Sequence, residues 1–489
     1  MSRDSDAMRR FLEIESKYNL YEANVSGVDF WNYARMAIWN YEICADRLHL
    51  QEAHQTGAGQ WKKKMQSFAS LIRYSVFRGK RAEKPVDLLI FAHERRVKTG
   101  AYYECIYTEA LAQNFVSLTL EHPHNYEHLR PVGNRDLMYT DYLVVKGNLY
   151  HLLHRKLHTA KYKEIYHAIE SRMEDPLEEM RESFCWDLDK GKIIRMLTER
   201  VFTYLVEQKE LDRIVRKTSP KAIVEVVYYG MQKMIANELG KKYGIPTIEL
   251  QHGTMHSEHA GYQFADGAAV RQLPDYMFLF SEFWKTQIHV PIPENHMRVT
   301  GFPYFERQMR RYREKTVRED NRQTILFVSQ GTIGRELSRI AAETASMLPE
   351  ETYRILYKLH PGEYADWQTK YPWLADSGIK VYDNSEINIY ELFAVSDMQV
   401  GVYSTAIYEG LGFGLRTLIC EVGHWKTMEA LIRGGYAESF RSADELKNLL
   451  LSAEPGSGKE GNVFWKENAM ENMTAELKVI FSNRRSEYL

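Results

Sequence analysis

No stretch of this chain stays apolar for the ~20 residues that a membrane-spanning helix needs, and neither sign of charge prevails. Lysine and arginine number 64 against 66 aspartates and glutamates, a formal net charge of −2 over 489 residues. That balance argues against a nucleic-acid binder, which would present a basic excess. Cysteine is scarce. Cys44, Cys105, Cys185 and Cys420 stand far apart, with no CxxC or Cys/His metal spacing, which fits a reduced, cytosolic setting rather than a disulfide framework. The opening Met1-Ser2-Arg3-Asp4-Ser5-Asp6 is charged and is no secretory signal. No DxD motif stands in a candidate donor loop; Asp187-Leu188-Asp189 fits the bare pattern but reads as an acidic loop ahead of the strands. No metal site is therefore assigned, and a divalent-metal requirement is left open.

What remains is an ordinary globular composition, 44% hydrophobic and 27% charged, on a chain too long for one core. Residues 1–84 follow an amphipathic rhythm, as in Phe11, Ile14, Tyr18 and then Phe30, Tyr33, Ala34 and Ala37, and read as a helical N-terminal extension. Within it, Lys62, Lys63, Lys64, Arg73, Arg78, Lys80, Arg81 and Lys84 interleave with Phe68, Leu71, Ile72 and Phe77. Cations beside apolar residues at near-helical spacing suit an anionic membrane surface, so residues 61–84 are a candidate for peripheral membrane contact. A solvated helix with one buried face has the same pattern.

From Pro85 the texture changes to apolar runs alternating with helical stretches. Val86–Ala92, Lys221–Tyr229, Gly244–Gly253 and Pro274–Ser281 read as buried strands. A second series follows, with strands at Thr324–Gly331, Tyr353–Tyr357, Lys380–Tyr382, Met398–Val402 and Arg416–Cys420. Strand and helix in alternation mean βαβ units and parallel sheets. The expected division is residues 1–84 helical, 85–305 a first Rossmann-like domain, 306–322 a charged linker, and 323–489 a second Rossmann-like domain with C-terminal helices.

Ligands of such sheets collect at the carboxyl ends of strands, and helix N-termini attract anions. His360-Pro361 ends the Tyr353 strand, and proline forces His360 into extended geometry. An imidazole there can donate to a phosphate or neutralise a leaving diphosphate. Ser404-Thr405 lies between a strand and a helix carrying Glu409. Its hydroxyls and the helix N–H groups form a phosphate site, although Ser404 can equally be a plain N-cap. Glu409, a turn further on, can accept from ribose hydroxyls. Ser329-Gln330-Gly331-Thr332 is a third strand-to-helix turn and a candidate donor-phosphate contact. In the first domain, His252 in Gln251-His252-Gly253-Thr254 is a candidate general base, with Glu258 and Asp266 as alternatives in the same loop. His252, His256 and His259 have zinc-like spacing, but no helix or carboxylate partner supports metal. His93-Glu94-Arg95-Arg96 ends the first strand and is a candidate acceptor-binding segment; a salt-bridged surface turn reads the same way.

Taken together, the two α/β domains, the Val299-Thr300-Gly301-Phe302-Pro303 hinge, the strand-end His-Pro and the Ser-Thr before a glutamate-bearing helix resemble a GT-B glycosyltransferase. Lys358-Leu359-His360-Pro361, Ser404-Thr405 and Gln251-His252-Gly253 are similar to motifs of bacterial capsule and teichoic-acid enzymes. Those are the polysialyltransferase-like, Kdo-transferase and CDP-glycerol glycerophosphotransferase families. The similarity spans residues 220 to 440. It implies two Rossmann-like domains facing a cleft, a cytidine-nucleotide donor held by the His-Pro and Ser motifs, and a polysaccharide or lipid-linked glycan acceptor. It also implies a cytoplasmic enzyme, peripheral on the inner face of the cell membrane, with a nucleotide-activated sugar as co-substrate and no tightly bound cofactor. Of the acidic base motif of the sialyltransferases, only Ala265-Asp266-Gly267 matches in part. A UDP-sugar 2-epimerase shares the two-domain plan, and a non-catalytic capsule-assembly scaffold could keep the fold without the chemistry.

Overall fold

The computed structural model describes residues 3–43, 59–80, 82–93, 96–123, 127–184, 189–315, 320–384, 386–452 and 461–486. Cys44, Arg81, Glu94, Arg95, Cys185 and Asp187 lie outside the described residues. The chain forms two compact units. The first takes Met1–Leu279, Lys285–Thr300 and Met470–Leu489, and the second takes Phe280–Trp284 and Gly301–Ala469.

The first unit is built on a seven-stranded sheet. Its strands are β1 (Leu88–Phe91), β2 (Ser117–Glu121), β3 (Leu137–Tyr139), β4 (Ala222–Val226), β5 (Thr247–Leu250), β6 (Tyr276–Leu279) and β7 (Met297–Val299). They lie in the order β7-β6-β5-β4-β1-β2-β3, all parallel. Every residue of β1, β2, β4 and β5 is buried, as expected of strands covered on both faces. The second unit repeats the plan with six strands. These are β8 (Gln323–Val328), β9 (Tyr353–Lys358), β10 (Lys380–Tyr382), β11 (Met398–Gly401), β12 (Arg416–Cys420) and β13 (Glu438–Phe440). Their order is β10-β9-β8-β11-β12-β13, again parallel throughout. In each sheet the chain order reverses once, between β1 and β4 and between β8 and β11, and ligands of doubly wound folds bind beyond such points.

Three features differ from the sequence reading. The N-terminal stretch is part of the first unit rather than an extension. The fully buried Glu15 accepts from Trp31 Nε1 (2.7 Å), Tyr21 OH (2.8 Å) and Arg35 Nε (2.6 Å). Arg35 in turn donates to Ala260 O and to Gln263 O (2.8 Å), tying these helices to the loop after β5. The charged run read as a linker is mostly helix, Pro303–Lys315, because Phe305 and Gln308 face inward. Its Glu306 carboxylate accepts from the backbone N–H groups of Asn468 (3.1 Å) and Ala469 (2.9 Å). The last helix, Ala469–Ser486, runs from there into the first unit. Its Met473, Leu477 and Ile480 pack with Leu88, Val224 and Ile248, so the second unit ends at Ala469 rather than at 489.

Candidate active site

In the second unit, the loops after β8 and β9 converge around one buried carboxylate, Glu363. Its Oε1 accepts from Ser329 Oγ (3.1 Å) and Tyr371 OH (2.8 Å), and its Oε2 accepts from the His360 N–H (2.8 Å). Tyr357 OH donates to Ser329 Oγ at 3.2 Å. Gly334 must be glycine here, since a Cβ at that position would lie 2.0 Å from Glu363 Oε1 and 2.4 Å from Tyr371 OH. The backbone at His360 is extended, with φ −69° and ψ 145°, as the following proline requires. His360 Nδ1 accepts from the Gly362 N–H at 3.1 Å. Nδ1 is thus the acceptor of the neutral ring, and Nε2 carries the proton. The residue is exposed, so a hydrogen-bond donor stands at the strand end on a backbone held from beneath.

Beside it, Gln330 Oε1 accepts from the Tyr403 N–H (3.3 Å), and the Thr332 and Tyr403 hydroxyls bond to each other. Gly331, Thr332 and Pro361 are exposed. Ser329 is enclosed, and its hydroxyl serves Glu363. Ser404 N-caps the helix Thr405–Gly412, its Oγ accepting from the Ala406 N–H at 3.2 Å. Glu409 accepts from Tyr390 OH at 2.9 Å, and burial pushes its carboxyl up to about 7. This helix lies close on β11, because a Cβ on Gly410 would stand 2.1 Å from the Gln399 side chain.

In the first unit, the ends of β1, β4 and β5 bring His93, Tyr229 and His252 together. The rings of His93 and His252 are 6.2 Å apart, and Tyr107 OH donates to His252 O at 2.6 Å. Tyr262 OH lies 3.3 Å from His252 Nδ1 and donates to Glu249 Oε1 at 2.7 Å. Tyr229 OH lies 3.4 Å from both His252 Nε2 and His259 Nε2. Burial holds His259 down at about 3, so it is neutral, and its Nδ1 accepts from the Gly261 N–H. Its Nε2–H therefore donates to Tyr229, whose own proton is directed at His252 Nε2. Tyr262 spends its proton on Glu249 and accepts from His252 Nδ1–H. The result is a chain of hydrogen bonds from buried Glu249 to a strand-end imidazole whose Nε2 is the acceptor.

Glu249 sits in register with Glu225 on β4, and both are fully buried. Burial pushes Glu249 up to about 7 and, with Glu249 as neighbour, holds Glu225 well above the carboxylate range. The other candidates are dispersed. Glu258 is half-buried, its N–H bonded to His256 Nδ1 (3.3 Å) and its carbonyl to Trp39 Nε1 (3.2 Å). Asp266 is on an exposed loop, bound to His289 Nε2 at 2.8 Å. Arg96 is buried against Glu121, with His128 and Arg130 on the same carboxylate. Among the described residues no group of three His, Cys, Asp or Glu is placed to hold a metal ion.

Sequence reading passed over Glu363, Tyr357, Tyr371 and Tyr403 around one site, and Tyr107, Tyr229, Glu249 and Tyr262 around the other. Two of these carry a signal. Glu363 falls three residues after His360, the spacing of a capping box, and Glu249 interrupts an apolar strand. The tyrosines are far apart in sequence, and nothing local marks them.

No protein-family model matches the chain, and no curated protein does. Solved structures do. A UDP-GlcNAc 2-epimerase from Methanocaldococcus jannaschii superimposes with TM-score 0.50 at 10% identity, covering 81% of this chain and 99% of its own. The fold is GT-B. MurG from Acinetobacter baumannii gives TM-score 0.44 at 11% identity, over 81% of this chain and 99% of its own. The wall teichoic acid polymerase TagF gives 0.41 at 10%, over 89% and 100%. The fold rests on the epimerase likeness and on the two Rossmann-like parallel-sheet units themselves.

Proposed function

We propose that the protein is a nucleotide-sugar-dependent glycosyltransferase, or polyol-phosphate transferase, using a CMP- or CDP-linked donor. Its acceptor is a surface or capsular polysaccharide or a lipid-linked glycan, and it works in the cytoplasm on the inner face of the membrane. The observation that carries this reading is His360, whose Nδ1 is taken by the Gly362 N–H and whose Nε2–H is presented at the strand end. The helix that opens at Thr405 in the same unit offers N–H groups of the kind a phosphate binds. The cytidine preference follows from the family resemblance of the His-Pro and Ser-Thr motifs.

The second unit would hold the nucleotide, with phosphates at His360, Thr332 and Thr405 and a ribose hydroxyl at Glu409. Ser329 and Glu363 keep the loops in place. In the first unit, His252 is the base. The acceptor O–H bond breaks and its proton passes to the Tyr229 hydroxyl as the Tyr229 proton passes to His252 Nε2, while Nδ1–H stays directed at Tyr262. The acceptor oxygen bonds to the transferred carbon or phosphorus. The bond to the leaving phosphate oxygen breaks, and its electron pair goes with the nucleotide. Negative charge grows on that oxygen, where the His360 Nε2–H donates to it.

Turnover of cytidine- and uridine-linked sugars, with and without a glycan acceptor, tests this by release of free nucleotide. Release should require the acceptor, and His360→Ala should lower kcat about 10²-fold, as for other groups that stabilise developing charge. Near-normal turnover by the variant would contradict the assignment. Acceptor-independent inversion of the donor sugar at C2 would make the protein a 2-epimerase instead.

A further inference from the structure

Far from either set of strand ends in sequence, two helices of the first unit expose apolar stripes with the same spacing. On Gly59–Val76 the stripe is Phe68 (59% exposed), Ile72 (48%) and Val76 (69%). On Asp141–Lys156 and its C-cap it is Leu149 (59%), Leu153 (56%) and Leu157 (66%). Residues four apart lie on one face of a helix, and these two helices pack against each other. Monomeric proteins seldom leave such a contiguous face in water.

Cations outnumber acids beside the stripes. Gly59–Val76 has no acid in its sequence and carries Arg73 in its last turn. Asp141–Lys156 carries Lys146, Arg155 and Lys156 against one acid, Asp141, which is buried against His128. Next to the first stripe lies a cavity of about 1180 Å³ whose wall includes Arg73, Arg78, Arg213, Lys217, Tyr74 and Tyr139. The acid in that wall, Glu210, is taken up by Lys146 (2.8 Å) and Arg213 (2.8 Å). Among the described residues no helix is long and apolar enough to cross a membrane.

We propose that this face docks the protein peripherally on an anionic bilayer. The stripes enter the boundary between headgroups and acyl chains, arginines and lysines bind the headgroup phosphates, and the cavity beside the first stripe receives an anionic headgroup. The surface reaches beyond residues 61–84, because Leu149, Leu153 and Leu157 stand on or directly after the helix that starts at Asp141.

The test is flotation of the full chain with vesicles of phosphatidylglycerol and phosphatidylcholine, against phosphatidylcholine alone. The parent should float with the anionic vesicles only, and release as salt shortens the Debye length. F68Q/V76Q/L153Q/L157Q should lower the bound fraction at least ~10-fold, as expected for losing the buried apolar area, with its thermal midpoint unchanged. R73Q/K156Q/K217Q, which spares the apolar stripes, should weaken binding and reduce its salt dependence. Failure of the parent to float, or equal flotation of parent and both variants, overturns the proposal. So does a concentration-dependent dimer in sedimentation velocity that the first variant dissolves without any vesicle binding, since a second copy would then cover the face. Nucleotide release enters none of these readouts, so the docking surface and the transferase reading stand or fall separately.

Discussion

At His360 the backbone selects the tautomer. The Gly362 N–H occupies Nδ1, proline at 361 holds the chain extended, and Glu363 anchors the His360 amide from below. At His252 the selection is made by side chains, since Tyr262 is tied to Glu249 and Tyr229 is fed by His259. The His360 imidazole is thereby set as a donor within the second unit, and the His252 imidazole as an Nε2 acceptor within the first. Glu249 makes this arrangement sensitive to pH. Its carboxyl rises from an ordinary 4.5 to about 7 in the fold, so the native state holds a proton that the unfolded chain has lost. Stability is then full below about 4.5, falls as pH rises through that window, and levels off above about 7. Glu207, pushed up to about 7 by burial, acts in the same direction. Replacing Glu249 with Gln should narrow the difference in stability between pH 5 and pH 8 by up to about 3 kcal/mol. Urea midpoints at the two pH values measure this, and an unchanged difference would show that Glu249 is ionised throughout. None of the tyrosines in these networks was legible beforehand, because no local spacing marks them, whether the partner is as near as Glu363 is to Tyr371 or as far as His252 is from Tyr107. The positions of His360, Ser404 and Glu409 at a strand end, a helix N-cap and on that helix were legible, because the strand or helix beside each is itself a local pattern.

At the scale of elements, the long apolar strands were readable, and of the three-residue strands named above β10 alone was. β9, β11 and β12 fall within a residue of the runs that mark them, and β8 ends three residues before the run read as Thr324–Gly331. β3, β7 and β13 have three residues each, too few to show a period, and β2 with its Ser-Leu-Thr-Leu-Glu has a mixed composition. The N-terminal helices were readable as helices, but their purpose was not. Through Arg35 they hold the loop that carries His259 and Tyr262, and Arg35 is itself paired with buried Glu15. Removing one partner of a buried ion pair leaves the other charge uncompensated. Arg35→Met should therefore cost about 3–5 kcal/mol in chemical denaturation and lower kcat/KM. Glu15→Leu combined with Arg35→Met should recover part of the stability. If Arg35→Met leaves both stability and turnover intact, the N-terminal helices do not support the histidine loop.

Over the whole molecule, the sequence pattern showed two alternating α/β series, and both sheets follow the same reversing strand order. Their boundaries were less visible. A chain that leaves the second sheet and returns its last helix to the first unit breaks the assumption that a domain is one continuous segment. Here the return is secured by Glu306 at the start of the helix and by Met473, Leu477 and Ile480 along it. The central claim is that the strand ends of the second unit bind a nucleotide, and thermal unfolding against CMP, CDP, CTP, UMP, UDP and GDP, with His360→Ala alongside, tests it most directly. A ligand at 100 times its Kd stabilises the native state by about 2.7 kcal/mol. The account predicts a rise in midpoint with cytidine nucleotides that His360→Ala abolishes. No rise with any of the six would contradict it.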